Sequence, residues 1–372
     1  MAGIATTPAH GRRPKAVKGT NEGMTDGAGE GMTAAGAQTE AFEFPILVGD
    51  IGGTNARFAV VEHAGAATGE PQIVHTANFA TIDDAIRSAV LDRLGVQPRS
   101  ALLAIAGPVI GDEIPLTNCP WIVKPQGMAA TVGLTDVMIL NDFEAQALAV
   151  VALGDDHVEK IGGGETLAHA GRAVLGPGTG LGVAGLIKSD GKWIPVPGEG
   201  GHMDIGPRTA RDYQVWPHIE PLEGRVSGEQ ILSGRGLVNT YRAVALADGK
   251  TPVFATPAEV TKAALEKSDP VAEEALALFV TCLGRTAGDV ALVFKAQGGV
   301  YLAGGIAQKI IPALHAENFR AAFNDKAPHS EWMAEIPVYV ITDPLGALAG
   351  LAAYARAPHS FGVETAGRRW RS

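Results

Sequence analysis

Three glycine clusters, each placed directly after a short apolar run, constrain this chain more than any other feature. The first is Gly49-Asp50-Ile51-Gly52-Gly53-Thr54-Asn55, between the apolar stretches 45–48 and 57–62. The second is Gly176-Pro177-Gly178-Thr179-Gly180-Leu181-Gly182, between 173–175 and 183–187. The third, Gly304-Gly305, follows the run 300–303 and precedes a helical pattern. Glycine lets successive backbone N–H groups turn into one concavity and lets a ligand approach bare backbone. The first two clusters therefore read as strand–turn–strand hairpins able to hold an anion, or, for the first, as an ordinary hairpin turn. Asp50, at a strand end, repels a bare phosphate but suits one that carries Mg²⁺. Thr179 offers a hydroxyl to a phosphate oxygen, and the backbone at Gly304-Gly305 can pass close to a flat base or ribose.

Other phosphate motifs are excluded. The second cluster has Leu181 where G-x-G-x-x-G requires glycine, and a strand follows it instead of a helix. No GxxxxGK[ST] is present. Nor is the glycine content itself the signal, since eight of the 48 glycines fall in the first 43 residues. That segment is nearly free of large apolar residues and cannot offset its ordering entropy, so 1–43 is expected to be a disordered tail. It lacks the apolar core of a signal peptide, and Met32 within it is a candidate start.

Beyond residue 43 strand-like and helix-like patterns alternate, which makes an α/β protein. Further strands are expected at 101–105, 137–140 and 337–341, with helices over 143–151, 271–294 and 345–355. The net charge of −10 disfavours a polyphosphate partner, so no nucleic acid is expected. The longest uncharged stretch, 173–187, is too short to span a bilayer. Cys119 and Cys282 form neither a disulfide framework nor a zinc spacing. A cytoplasmic protein without a membrane partner is the expectation.

Five polar positions invite chemistry. Asp142 follows the run 137–140 and opens a helix, either as its N-cap or as a carboxylate held ionised by the helix N-terminus. Asn141 beside it can both donate and accept, as a sugar hydroxyl requires. Glu199 and His202, three residues apart, could be half a metal site, a surface loop or hydroxyl ligands, and no companion metal ligands lie nearby. Glu229 stands between Ser227 and Gln230, which are spaced as a capping box.

Asp50 to Arg57, Leu116-Thr117-Asn118, Leu140-Asn141-Asp142-Phe143-Glu144-Ala145, Gly198-Glu199-Gly200-Gly201-His202 and Leu232-Ser233-Gly234 occur in this order. With the glycine clusters, they resemble the bacterial ATP-dependent glucokinase family of the sugar kinase/actin-like ATPase superfamily, across 45–356. The resemblance implies a two-domain actin-like ATPase (ribonuclease H-like) α/β fold with sugar and ATP in the interdomain cleft. The small domain would be 44–152, completed by a helix at about 343–360, and the large one 153–342. It implies Asp142 as the base that takes the proton of the glucose 6-hydroxyl, with Asn141, Glu199, His202 and Glu229 on the sugar. It places ATP on Gly49, Asp50, Ile51, Gly52, Gly53, Thr54, Gly178, Thr179, Gly304 and Gly305. Mg²⁺ would come with ATP, held through water near Asp50 and by no direct protein ligand. A homodimer is implied as well. The stretch 201–234 contains no cysteine, unlike the zinc-containing repressor/open-reading-frame/kinase relatives. The rival readings are a mannose or fructose kinase and a non-catalytic ATP- and sugar-binding regulator; an intact Asp142 speaks against the latter.

Overall fold

The computed structural model describes residues 41–116 and 119–372. In chain order its strands are β1 (Ile46–Ile51), β2 (Asn55–Val61), β3 (Gln72–His75), β4 (Ser100–Ile105), β5 (Ile114–Pro115), β6 (Ile122–Val123) and β7 (Asp136–Asn141). They continue with β8 (Val158–Gly162), β9 (Arg172–Pro177), β10 (Leu181–Ser189), β11 (Lys192–Gly198), β12 (Val300–Leu302), β13 (Val338–Ile341) and β14 (Arg369–Arg371). One six-stranded sheet runs β14-β7-β4-β1-β2-β3 and the other β11-β10-β9-β12-β13-β8, while β5 and β6 form a small ladder apart.

The central strands read as unbroken apolar runs because both of their faces are covered. In the first sheet β1, β4 and β7 are parallel and end flush, with Ile51 beside Ile105 and Ile105 beside Asn141. In the second, β9 and β12 are parallel with Leu175 beside Leu302, so the glycine segments that follow both strands emerge side by side. Ligands of α/β sheets collect at such carboxyl ends.

Three helices bind these sheets. Gly346–Arg356 is built of small residues, and Gly350 lies so close to the carbonyl of Ala145 that no Cβ fits there. Its Leu348, Leu351 and Tyr354 pack on the first sheet. Asp142–Ala149 serves both sheets: Ala145 and Leu148 join the first core, and Ala147 joins Val174 and Ala184 of the second. Pro270–Phe294 is N-capped by Asp269, whose carboxylate accepts the Ala272 N–H at 2.8 Å. This helix corrects the reading from uncharged stretches, because by length and composition it could cross a bilayer. Arg285 and Asp289 interrupt the run, so a search for uncharged stretches passes over it. Most of it is buried against the other face of the second sheet, with Ala173, Leu175 and Val183, where Phe279, Leu283 and Ala287 are fully covered.

The expected tail lies outside the described residues except at its last three positions, and so do Thr117 and Asn118. Phe42 is buried, edge-on to Tyr354 at 5.5 Å, with the Arg369 guanidinium 4.1 Å from its ring centre. The packed chain therefore includes Phe42, ahead of the boundary expected at residue 44.

Candidate active site

The first hairpin closes between Gly52 and Asn55, where the Gly52 N–H donates to the Asn55 carbonyl at 3.0 Å. The Thr76 hydroxyl donates to the Gly53 carbonyl at 2.8 Å and fixes the turn from outside. Thr54 stands exposed at the tip. Gly49 and Ile51 do not share this surface. Gly49 is buried inside β1, where a Cβ would stand 2.6 Å from Leu103 Cδ2, and Ile51 is 1% exposed in the core. Their side-chain identities answer to packing. Asp50 pairs with Arg57, its cross-strand neighbour, at 3.0 Å. Burial pushes the Asp50 carboxyl upward and Arg57 opposes the shift.

The flush end of β7 delivers Asn141 and Asp142. The cap of the following helix is Asn141, not Asp142: its Oδ1 accepts the N–H groups of Phe143 at 2.9 Å and Glu144 at 3.3 Å. Asp142 is the first helical residue, with its Oδ1 accepting the Phe143 N–H at 3.0 Å. Those N–H groups favour the charged form, as a helix N-terminus should. Burial and the nearby charges of Asp50 and Glu199 outweigh them and push Asp142 from 3.8 to about 6. A carboxylate at that value is still ionised near neutral pH, but less firmly than the helix N-terminus alone would hold it. The same balance shows the charges of Asp50 and Glu199 within reach of Asp142. Asn141 Nδ2 donates to the Gly107 carbonyl at 3.4 Å, a contact without a sequence signal.

Glu199 and His202 lie on the turn after β11, with Oε2 and Nε2 3.9 Å apart and both side chains well exposed. The turn sits on the second hairpin, for Gly201 meets the Leu181 carbonyl too closely to carry a Cβ. The Gly228 N–H donates to the Met203 carbonyl at 2.8 Å and brings Glu229 alongside. Glu229 Oε2 accepts the Leu181 N–H at 3.0 Å. The expected capping box does not form, because Ser227 makes no side-chain cap bond and precedes only a short 3₁₀ turn. The helix Gly234–Ala247 starts later, capped by Ser233, whose Oγ accepts the Gly236 N–H at 2.9 Å.

At the second hairpin the Gly178 N–H donates to the Gly180 carbonyl at 2.8 Å, and the Gly234 N–H donates to the Gly178 carbonyl at 2.9 Å. Thr179 projects exposed from this turn. Gly304, at φ +88°, crosses the Pro177 carbonyl, from which a Cβ would be 2.9 Å away. Beside Gly305 a Cβ would meet nothing within 4 Å. Gly178, Thr179, Gly304 and Gly305 are therefore brought together, with the start of the Gly234 helix beside them. Among the described residues, no three of His, Cys, Asp and Glu converge as a metal cage.

The glucokinase family model matches residues 47–358. A glucokinase of Mesorhizobium japonicum is 71% identical over 332 residues, which are 89% of this chain and 97% of that protein. The crystal structure of a glucokinase from an Antarctic psychrotroph superposes with a TM-score of 0.75 at 30% identity, covering 84% of this chain and 98% of that one. A Balamuthia mandrillaris glucokinase solved in complex with glucose gives a TM-score of 0.70 at 25% identity, covering 84% and 93%.

Proposed function

We propose, from the premise that the chain belongs to the glucokinase family, that it transfers the γ-phosphoryl group of ATP to the 6-hydroxyl of glucose. Asp142 carries this reading. It is a half-buried carboxylate at the flush carboxyl ends of three parallel strands, with a pKa raised to about 6. Such a group is ionised near neutral pH yet basic enough to accept a hydroxyl proton. The 6-oxygen attacks the γ-phosphorus in line, its proton passes to Asp142, and the bond to the bridging oxygen breaks to release ADP. Asn141, Glu199, His202 and Glu229 supply donors and acceptors for the remaining hydroxyls.

The turns at Gly52-Gly53-Thr54 and Gly178-Thr179 hold the phosphates, and Gly304-Gly305 takes the nucleoside. Asp50 is a hard oxygen donor whose Oδ2 is engaged by Arg57, and it suits Mg²⁺ held through water on the phosphates. That ion supplies charge neutralisation on the transferring group. In this reading the lobes 44–152 with 343–360, and 153–342, flank the cleft and exclude water on closing. A cytoplasmic homodimer completes it.

Glucose-dependent ADP release in a coupled assay tests the proposal, with mannose and fructose compared at fixed ATP. A wall of hydrogen bonds should discriminate strongly among these sugars. No release with glucose, or an equal rate with another hexose, overturns it.

A further inference from the structure

The last strand of the chain lies beyond the glucokinase family match, which ends at residue 358. It nevertheless completes the sheet that carries the base. β14 runs antiparallel to β7, with Arg369 opposite Met138 and Arg371 opposite Asp136. The Ile139 N–H donates to the Arg368 carbonyl at 2.9 Å. Without β14, β7 would be an edge strand with open hydrogen-bonding groups.

Two neighbouring arginines then grip the start of β7 and the first turn of the helix that follows it. Arg369 Nε donates to both Asp136 carboxylate oxygens at 2.9 and 3.0 Å, where each side chain is 8% exposed. Arg368 Nη1 donates to Glu144 Oε2 at 2.6 Å, and Glu144 is 1% exposed. The Glu144 N–H is itself bonded to Asn141 Oδ1. Asp142 thus stands between a residue that caps its helix turn and a residue anchored from the far end of the chain. A buried ion pair adds little stability over an apolar pair of the same size, so its presence here points to geometry.

We infer that Arg368 is a positioning residue for the phosphoryl transfer: through Glu144 it fixes the first turn of the helix that begins at Asp142. The inference rests on Asp142 being the base. The pair is largely buried and neither residue is among those proposed to hold glucose or ATP, so its loss should act on turnover and leave ATP binding alone.

The experiment compares the wild type, E144Q/R368M, R368K and D142N by kcat, KM and Tm. E144Q/R368M removes both charges, with Gln an isostere of Glu and Met a shorter unbranched replacement for the Arg stem. We expect a Tm within a few degrees of wild type, a KM for ATP within twofold and a kcat lowered about tenfold or more, as a misplaced reacting group produces. A kcat within twofold of wild type, with D142N inactive, makes the pair merely structural and overturns the inference. If the double variant does not fold, R368K decides, since lysine keeps the charge and loses the guanidinium fork. A folded R368K with kcat lowered severalfold supports positioning, and an unchanged kcat overturns it. D142N at near wild-type rate would instead remove the base assignment itself.

Discussion

The ring of Phe143 fills a slot between Gly176 and Gly182, cross-strand partners in β9 and β10. A Cβ on Gly176 would stand 2.9 Å from Phe143 Cζ, and on Gly182 it would fall among the ring carbons. Phe143 directly follows Asp142, so the residue next to the proposed base is wedged against the foot of the second glycine hairpin. Gly182→Ala must displace the ring. We expect a loss of about 1 to 3 kcal/mol, as overpacking typically costs, together with a lower kcat. Urea denaturation and steady-state kinetics measure both, and an unchanged midpoint with unchanged kcat would refute the wedge.

The pH dependence of turnover follows from the pKa of Asp142, which stands at about 6 against an ordinary 3.8. A base works only when deprotonated. Activity should therefore be full above about pH 7 and fall about tenfold per pH unit well below 6. A kcat/KM profile for glucose flat from pH 7 down to 5 would remove Asp142 from the base role. The ratio kcat/KM reports the free enzyme, to which this pKa belongs.

The same shift makes Asp142 a cost to the fold. The folded state keeps the proton up to about pH 6, while the unfolded chain loses it near 3.8. Between those values the folded state binds more protons, so stability declines as pH rises through the window and stays reduced above it. Asp142→Asn keeps the oxygen that accepts the Phe143 N–H and drops the charge. At pH 8 the variant should be about 1 to 2 kcal/mol more stable and inactive, with the gain shrinking toward pH 5. Denaturation at pH 8 and pH 5 checks both sign and trend. A variant less stable than wild type at pH 8 would show that the carboxylate is held favourably after all.

The parts legible in the sequence were those with a local physical signature. Runs such as 101–105 and 137–140 became β4 and β7 with only small shifts at their ends, because strands buried on both faces must be continuously apolar. The glycine turns were legible because bare backbone is a residue-level trait. β14 was not, since Arg369, Trp370 and Arg371 carry no apolar run and are held by Asp136 and by pairing to β7. The helix-cap assignment failed by one residue, because Asn141 and Asp142 can both cap and only the backbone decides between them. Nothing near Phe143 announced that two glycines more than thirty positions away would frame its ring.

In the proposed reading Glu229 joins the sugar wall to the phosphate hairpin through one bond, its Oε2 accepting the Leu181 N–H at 3.0 Å. A Cβ on Gly180 would meet that carboxylate, so a side chain there would have to push the Glu229 head aside. Glu229→Ala leaves the Leu181 N–H without its partner, a loss of about 1 kcal/mol. The KM for ATP should then rise about fivefold, alongside a rise in the KM for glucose. Glu229→Gln retains an acceptor oxygen, so its KM for ATP should stay within twofold while glucose binding still weakens. Initial rates with each substrate varied in turn separate the two effects. If Glu229→Ala changes only the glucose term, the bond to Leu181 plays no part in shaping the ATP hairpin.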